Sequence, residues 1–169
     1  IVVDTISEKV AAADLIILSV KPQDYPSVSA ELARFIQPSQ IVLSIMAGIP
    51  IANIQSSLSH DLVVRAMPNT PAMIGRGVTG AYANAAVSEG QRDIVHRLLK
   101  VSGPVEWVET EADIDAVTAV SGSGPAYVFY LVECMAEAGR KAGLPADLAM
   151  RLARETVAGA GELLHQSSD

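Results

Sequence analysis

The sequence has few of the residues that several kinds of site require. Of its 169 residues, one is cysteine and three are histidines, His60, His96 and His165, which lie too far apart for metal-ligand spacing. No disulfide framework or metal site is therefore expected, and the lone cysteine favours a reducing, cytoplasmic location. No apolar run is long enough to span a bilayer, so we expect no membrane partner.

Basic residues and obvious nucleophiles are also scarce. Twelve lysines and arginines stand against nineteen acidic residues, a net charge of −7 with no basic tract, so a nucleic-acid partner is not expected. No nucleophile has an evident neighbouring base, which disfavours hydrolase chemistry and favours a reaction in which a bound cofactor carries the chemistry. No catalytic residue is assigned from the sequence.

The first half of the chain alternates short apolar runs with helical segments. Half of all residues are hydrophobic, enough for one large domain or two small ones. The order predicts an α/β fold, a parallel sheet covered by helices on both faces. The predicted strands are Asp14–Val20, Ile41–Ile45, Leu62–Ala66, Thr79–Ala83 and Pro104–Glu109, and the predicted helices are Tyr25–Ile36, a short one ending at Leu58, and Glu89–Lys100.

The composition changes near Glu111, after which the chain is almost wholly helical. We therefore expect two domains, residues 1–110 and 111–169. A long helix is predicted between Pro125 and Gly143, since proline suits a first helical turn and glycine a position just past the last. Because this helix is apolar on nearly every side, we expect it to be buried, together with Cys134. A last helix is predicted from about Pro145 to His165.

One glycine motif invites a nucleotide-binding interpretation that its context does not support. Residues 75–80, GRGVTG, fit the G-x-G-x-x-G pattern letter for letter. That pattern binds a pyrophosphate only where a strand turns into a helix. Here the glycines follow a proline-bounded loop and lead into a predicted strand, so we reject them as a dinucleotide fingerprint.

The carboxyl ends of the first three predicted strands are better candidates for a ligand site. In open α/β sheets, ligands bind outside these ends. The segments there, Ser19–Pro22, Ile45–Gly48 and Ala66–Pro71, carry small or proline-fixed residues, and Lys21 adds a charge for a phosphate or ribose. The alternative is that they are ordinary turns.

Two further segments have open alternatives. Asn69 and Thr70, between two prolines, suit either the orientation of an amide-bearing ring or a plain turn. Residues 121–124, SGSG, place free N–H groups at a helix start, which suits a carboxylate or phosphate. The same small residues also suit close helix packing.

Three stretches together resemble one enzyme family, pyrroline-5-carboxylate reductase. They are residues 13–22, ADLIILSVKP, residues 67–71, MPNTP, and residues 114–127, IDAVTAVSGSGPAY. The resemblance implies a Rossmann-type sheet followed by an all-helical dimerisation domain, both partial, and a homodimer or higher homo-oligomer. It also implies NAD(P)H-dependent reduction of 1-pyrroline-5-carboxylate to L-proline, the last step of proline synthesis.

The resemblance also assigns site residues. It implies that Ser19, Val20, Lys21 and Pro22 line the NADP(H) or NAD(H) site. Ala47 would lie beneath the cofactor, and Asn69 and Thr70 near its nicotinamide. Glu111 matches a family position at the substrate pocket, although an acid there also suits a helix start. From their free N–H groups at the predicted helix start, Ser123 and Gly124 are the other residues that we expect to bind the substrate.

The chain departs from the family pattern in three places. The family's own G-x-G-x-x-G strand would precede Ile1, its substrate-carboxylate loop would follow Asp169, and Ile6 stands where many members have asparagine. We therefore expect an internal fragment with impaired activity, and no preference between NADH and NADPH follows. Two alternatives stay open. One is a β-hydroxyacid dehydrogenase-like reductase, although the long helix offers Lys141 only at its far end; the other is a non-catalytic dimerising module.

Overall fold

The computed structural model describes residues 4–167 and divides the chain into two compact units. The first unit ends at Gly122 and the second begins at Ser123. Residues 111–122 pack with the first unit, so this division lies later than the expected boundary between residues 110 and 111, which stays a prediction about domains. Residues 1–3, a β-rich run that favours a strand, lie outside the described residues.

A five-stranded sheet forms the centre of the first unit, with its strands side by side in chain order. The first three strands are parallel, with Leu18 beside Ser44 and Ser44 beside Arg65, so their carboxyl ends share one edge of the sheet. The α/β class predicted from the apolar runs is confirmed. The strands are β1 Leu15–Leu18, β2 Ile41–Ser44, β3 Val63–Pro68, β4 Thr79–Ala83 and β5 Val105–Trp107.

One pairing corrects the expectation of a wholly parallel sheet. Strand β4 runs antiparallel to β3, with Pro68 beside Thr79, and β5 is parallel to β4. The connection from β3 to β4 is only residues 69–78, whereas a parallel crossover needs about a dozen or more residues. The chain therefore turns back at the carboxyl end of β3, and the start of β4 lies at the same edge.

Four short helices accompany the sheet. They are α1 Tyr25–Leu32, α2 Ile51–Leu58, α3 Glu89–Leu99 and α4 Asp113–Val117, with 3₁₀ turns at Glu8–Ala12, Thr70–Ile74 and Lys100–Ser102 and a π-helical turn at Thr118–Gly122. Helix α1 ends earlier than the sequence suggested, and the chain continues to Ile36 as turns. Helix α3 begins with a capping box, in which Ser88 and Gln91 satisfy each other's backbone N–H groups.

The core has two parts because neighbouring strand residues point to opposite faces of the sheet. On one face, Val42 and Val63 pack with Ile54 of α2. On the other, Leu43 and Val64 pack with Val95 of α3, and all six of these side chains are fully buried or nearly so. The sheet is thus fixed from both sides, and its edge loops are held on a rigid support.

The second unit is a pair of helices, α5 Gly124–Lys141 and α6 Ala146–Gln166, that pack along each other. Pro125 lies in the first turn of α5 and Gly143, with φ +101°, follows its end, as the sequence predicted. The seam consists of small residues: Ala136, Ala149 and Ala153 are buried. No helix in the described part of the chain is long and apolar enough to cross a membrane.

The expected burial of the long helix is wrong for the single chain. Of the residues of α5, only Ala136 is buried, whereas Phe129 is 62% and Tyr130 68% exposed. Cys134 is also exposed rather than buried. Within the unit only α6 packs against α5, and one neighbour can cover only one stripe of a helix. The apolar residues that the sequence pattern assigned to a core therefore lie on the surface of this chain.

Candidate functional site

The loops that follow β1, β2 and β3 lie next to one another at one edge of the sheet. Residues 19–22 follow β1, residues 45–48 follow β2, and Asn69 and Thr70 follow β3. The β1 and β2 loops are joined directly, because the backbone N–H of Ile45 donates to the carbonyl of Leu18 at 3.0 Å. The structure thus brings together the three segments that the sequence singled out in this unit.

The loop after β1 presents a free charge. Lys21 and Ser19 are exposed, whereas Val20 and Pro22 are half-buried and anchor the loop. The carbonyl of Lys21 accepts from the backbone N–H of Asp24 at 2.9 Å, which fixes the turn into α1. The Lys21 ammonium makes no hydrogen bond or ion pair with the described residues, so it is available to an anionic ligand.

The loop after β2 exposes its backbone to solvent. Met46 is buried beneath it, while Ala47 and Gly48 are exposed. Gly48 has φ +72°, a left-handed conformation that glycine adopts without strain. A flat ligand can therefore approach the chain closely at Ala47.

The loop after β3 is held by its own asparagine. The Asn69 side-chain oxygen accepts from the backbone N–H of Val78 at 2.9 Å, and its backbone carbonyl accepts from Ala72 at 3.1 Å. Both oxygens are therefore used inside the loop, which favours the turn interpretation for them. The side-chain amide nitrogen of Asn69 makes no hydrogen bond within the described part of the chain, and Thr70 is exposed.

Glu111 lies in a charged cluster near the amino end of α2. Its Oε1 accepts from the backbone N–H of Ile51 at 2.7 Å, where a helix start favours a negative charge. The same oxygen lies 3.2 Å from Nη1 of Arg65, whose Nη2 lies 3.0 Å from Oδ1 of Asp115. The helix-start alternative considered for Glu111 thus applies, but to α2 rather than to the helix that follows it in sequence.

Ser123 and Gly124 belong to the second unit. Gly124 is the first residue of α5, and Ser123 precedes it without a side-chain capping bond, its carbonyl accepting from Ala126 at 3.0 Å. Their assignment to the substrate stays a prediction, as do the roles of the other assigned residues.

The rejected glycine motif forms a turn and a strand. Gly75, with φ +68°, ends the 3₁₀ turn Thr70–Ile74, and Gly80 lies within β4. No helix follows these glycines, so they cannot present helix N–H groups to a pyrophosphate. Nor does any group of three or more histidine, cysteine or acidic side chains with metal-binding geometry occur in residues 4–167.

Comparison with known families matches two parts of the chain. Residues 111–169 match the family described as pyrroline-5-carboxylate reductase dimerisation, and residues 2–48 match NADP oxidoreductase coenzyme F420-dependent. The pyrroline-5-carboxylate reductase of Pseudomonas aeruginosa is 48% identical over 163 residues, which are 96% of this chain and 60% of that protein. The chain is similar to pyrroline-5-carboxylate reductases along almost its whole length.

Solved structures of this family share the fold. A pyrroline-5-carboxylate reductase from Coxiella burnetii matches with a TM-score of 0.84 at 34% identity, over 93% of this chain and 59% of that one. The Plasmodium falciparum pyrroline carboxylate reductase, with NADP bound, also gives 0.84, at 30% identity, over 96% of this chain and 62% of that one. The chain thus spans about 60% of the length of the relatives that it matches.

Sequence reasoning missed the two other charged residues of the Glu111 cluster, Arg65 and Asp115. Arg65 is an arginine inside the apolar strand β3, and its side chain is 4% exposed. That position was itself a usable signal, since a buried charge needs a partner. Asp115 gave no comparable signal, because acidic residues are common at helix starts such as that of α4.

Proposed function

We propose that the full-length protein is a pyrroline-5-carboxylate reductase, which reduces 1-pyrroline-5-carboxylate to L-proline with NAD(P)H in proline biosynthesis. The observation that carries this proposal is the 48% identity to the Pseudomonas relative over 96% of the chain, which includes all three strand-end loops. The relatives' names supply the substrate. The activity is proposed for the whole protein, since the chain spans about 60% of those relatives.

The residues at the sheet edge fit a dinucleotide. The unpaired Lys21 ammonium suits a phosphate or ribose hydroxyl, and the exposed backbone at Ala47 and Gly48 allows a flat ring to lie against it. The free amide nitrogen of Asn69 suits a carbonyl acceptor on the nicotinamide. Bound NAD(P)H would supply a hydride for C5 of the cyclic imine. We propose that Ser19, Val20, Pro22 and Thr70 line this dinucleotide site.

The proposed imine reduction requires little acid–base catalysis by the protein. A protonated imine is already electrophilic at C5, so the site must hold it against the nicotinamide and exclude water. We propose that the carboxylate of Glu111 favours this cation electrostatically. Ser123 and Gly124, at the start of α5, are proposed to receive the substrate carboxylate, since a helix start stabilises a negative charge.

The second unit supports a homodimer. Phe129, Tyr130 and Leu131 on α5 and Leu163 and Leu164 on α6 are each more than half exposed. Exposed apolar residues in this density mark a surface that another chain covers. A second copy is the proposed partner, because residues 111–169 match a family described by its dimerisation.

The two alternative functions are disfavoured, and a cytoplasmic location is proposed. A β-hydroxyacid dehydrogenase-like reductase needs a lysine on the long helix near the domain boundary, and Lys141 is the last residue of α5. The identity across both units disfavours a dimerising module without catalysis. One exposed cysteine and no second cysteine to pair with it support a reducing, cytoplasmic location.

The activity test measures NADPH consumption by the full-length protein when 1-pyrroline-5-carboxylate is added, with L-proline identified as product. We expect imine-dependent turnover, and Glu111→Gln to weaken substrate binding or slow turnover. Glu109→Gln is the matched control, since Glu109 is exposed and has no polar partner in the described chain. Absence of turnover contradicts the proposed activity, and unchanged kinetics of Glu111→Gln contradict the proposed role of Glu111.

The dimer test is sedimentation of the unmodified protein and of two variants. We expect a dimer or larger oligomer, converted toward monomer by Phe129→Glu, because burying an unpaired charge is unfavourable. Leu98→Glu on α3, a side chain 42% exposed in the first unit, is the control and should leave the oligomer intact. A monomeric unmodified protein would contradict the proposal.

A further inference from the structure

Arg65 carries a positive charge inside the sheet. It lies on β3 beside Ser44 of β2 and opposite Tyr82 of β4, and its side chain is 4% exposed. Moving a charge out of water is unfavourable, so such a residue persists only with partners that compensate for it. Its partners are both carboxylates from the segment that follows β5.

The two oxygens of the Glu111 carboxylate differ in their hydrogen bonds. Nη1 of Arg65, at 3.2 Å, and the backbone N–H of Ile51, at 2.7 Å, both engage Oε1. Among the described residues, Oε2 receives no hydrogen bond. Glu111 is also 28% exposed, so this second oxygen is not sealed inside the protein.

The segment that carries Glu111 is fixed as well. The backbone N–H of Thr110 and its hydroxyl donate to Oδ2 of Asp113 at 2.9 and 2.8 Å, and the N–H of Ile114 donates to the carbonyl of Glu111 at 3.1 Å. The backbone and one oxygen of Glu111 are therefore both held. Only Oε2 remains for another partner.

Stability alone is a poor reason for this arrangement. Nε of Arg65 is buried without a hydrogen-bond partner, and Asp115 is 75% exposed, so its ion pair is largely screened by water. Apolar residues of similar volume often replace a buried ion pair without loss of stability. The cluster is better explained by what it does to Glu111.

We propose that Arg65 is a positioning residue, which holds Oε1 of Glu111 so that Oε2 is presented to the cationic imine substrate. This inference rests on the proposed function for the identity of the substrate. Arg65 itself does not touch the substrate. Its planar fork engages Glu111 with one nitrogen and Asp115 with the other, which the single ammonium of lysine cannot reproduce.

The test is steady-state kinetics of the full-length Arg65→Lys, Glu111→Gln and doubly substituted proteins. Misplacement of a binding group by about 1 Å is able to reduce efficiency about 100-fold, so we expect Arg65→Lys to raise the KM for the imine roughly 10- to 100-fold. The KM for NADPH should stay unchanged. Because Arg65 acts through Glu111, the double variant should be no worse than Glu111→Gln alone.

A matched control and a second measurement keep the result interpretable. Arg97→Lys, which alters an exposed ion pair with Asp93 on α3, should change neither KM. An NMR measurement of the Glu111 carboxyl carbon, with Glu111→Gln for assignment, should show a changed environment in Arg65→Lys even without substrate.

Three results would overturn the proposal. The first is a fall in kcat at unchanged KM, since that indicates a loss of folded protein. The second is additive effects of the two substitutions in the double variant. The third is an unaltered resonance of the Glu111 carboxyl carbon in Arg65→Lys. Absence of imine turnover in the unmodified protein would instead overturn the proposed function, while the NMR measurement would still decide whether Arg65 positions Glu111.

Discussion

Substitution of Gly103 by alanine tests how the loop after β3 is supported. Gly103 follows the 3₁₀ turn Lys100–Ser102 and has φ +140°, and a Cβ added to it would overlap the carbonyl oxygen of Gly77. The backbone N–H of Gly77 in turn donates to Ser102 at 2.9 Å. The alanine methyl group would therefore collide with backbone, which has no rotamer by which to move away.

The magnitude follows from two terms. Overpacking costs about 1–3 kcal/mol, and a strained backbone conformation at positive φ costs about 1–3 kcal/mol more. A total of roughly 2–6 kcal/mol is a large part of the 5–15 kcal/mol that stabilises an ordinary domain. At about 2–4 °C per kcal/mol for a chain of this size, Gly103→Ala should lower the Tm by roughly 5–20 °C.

The assay is thermal unfolding followed by circular dichroism, with Gly90→Ala as the matched control. Gly90 lies in the first turn of α3, where an added Cβ meets nothing within 4 Å. Alanine there should raise the stability by about 0.4–1 kcal/mol, since it restricts the unfolded chain. A Gly103→Ala protein whose Tm stays within about 1 °C of the unmodified protein would refute the reasoning. Because the same loop carries Asn69 and Thr70, NADPH binding should weaken too.

Two further predictions concern the alkaline stability of the protein and the environment of its single tryptophan. Burial raises the pKa of the Tyr25 hydroxyl above its ordinary 10.0, although its 2.6 Å bond with Ser57 lowers it. The folded state thus holds this proton more tightly, so the associated stability is complete below about pH 10 and is lost as pH rises through the folded pKa. Denaturant titrations of Tyr25→Phe should show a smaller decline of the free energy of unfolding at alkaline pH. At neutral pH, the variant should be about 1 kcal/mol less stable. The single tryptophan, Trp107, donates to Nδ1 of His96 at 3.2 Å, a bond that only a neutral imidazole accepts. His96→Phe removes this acceptor, so the tryptophan fluorescence of the folded protein should change, and an unchanged spectrum would contradict the contact.

Much of the first unit could be predicted from the sequence because its signals are local. Continuous apolar runs such as Ile41–Ile45 occur in strands covered on both faces, and the structure places them there. Pro125 and Gly143 likewise mark the ends of α5 through their own backbone preferences. The antiparallel β4 was not predicted, since direction depends on the length of the preceding connection rather than on the strand itself.

The remaining errors concern what surrounds a residue, which a local pattern does not contain. An apolar helix such as α5 needs a packing partner, but its sequence pattern does not indicate whether that partner belongs to the same chain or to another. The strand-end loops could be located because parallel strands align their carboxyl ends. The link between Arg65 and Glu111 spans β3 and the segment after β5, and no spacing in the sequence connects them.

The most direct test of the central claim is an NADPH titration of the full-length protein, followed by NMR of its backbone amides. We predict that the amides of Lys21, Ala47 and Asn69, which follow three neighbouring strands, shift together with one binding constant. The amides of Asn84 and Val87, which follow β4, should not shift, because the antiparallel β4 ends at the opposite edge of the sheet. Binding that leaves the strand-end loops unchanged, or no binding at all, would contradict the assignment of this edge to the cofactor.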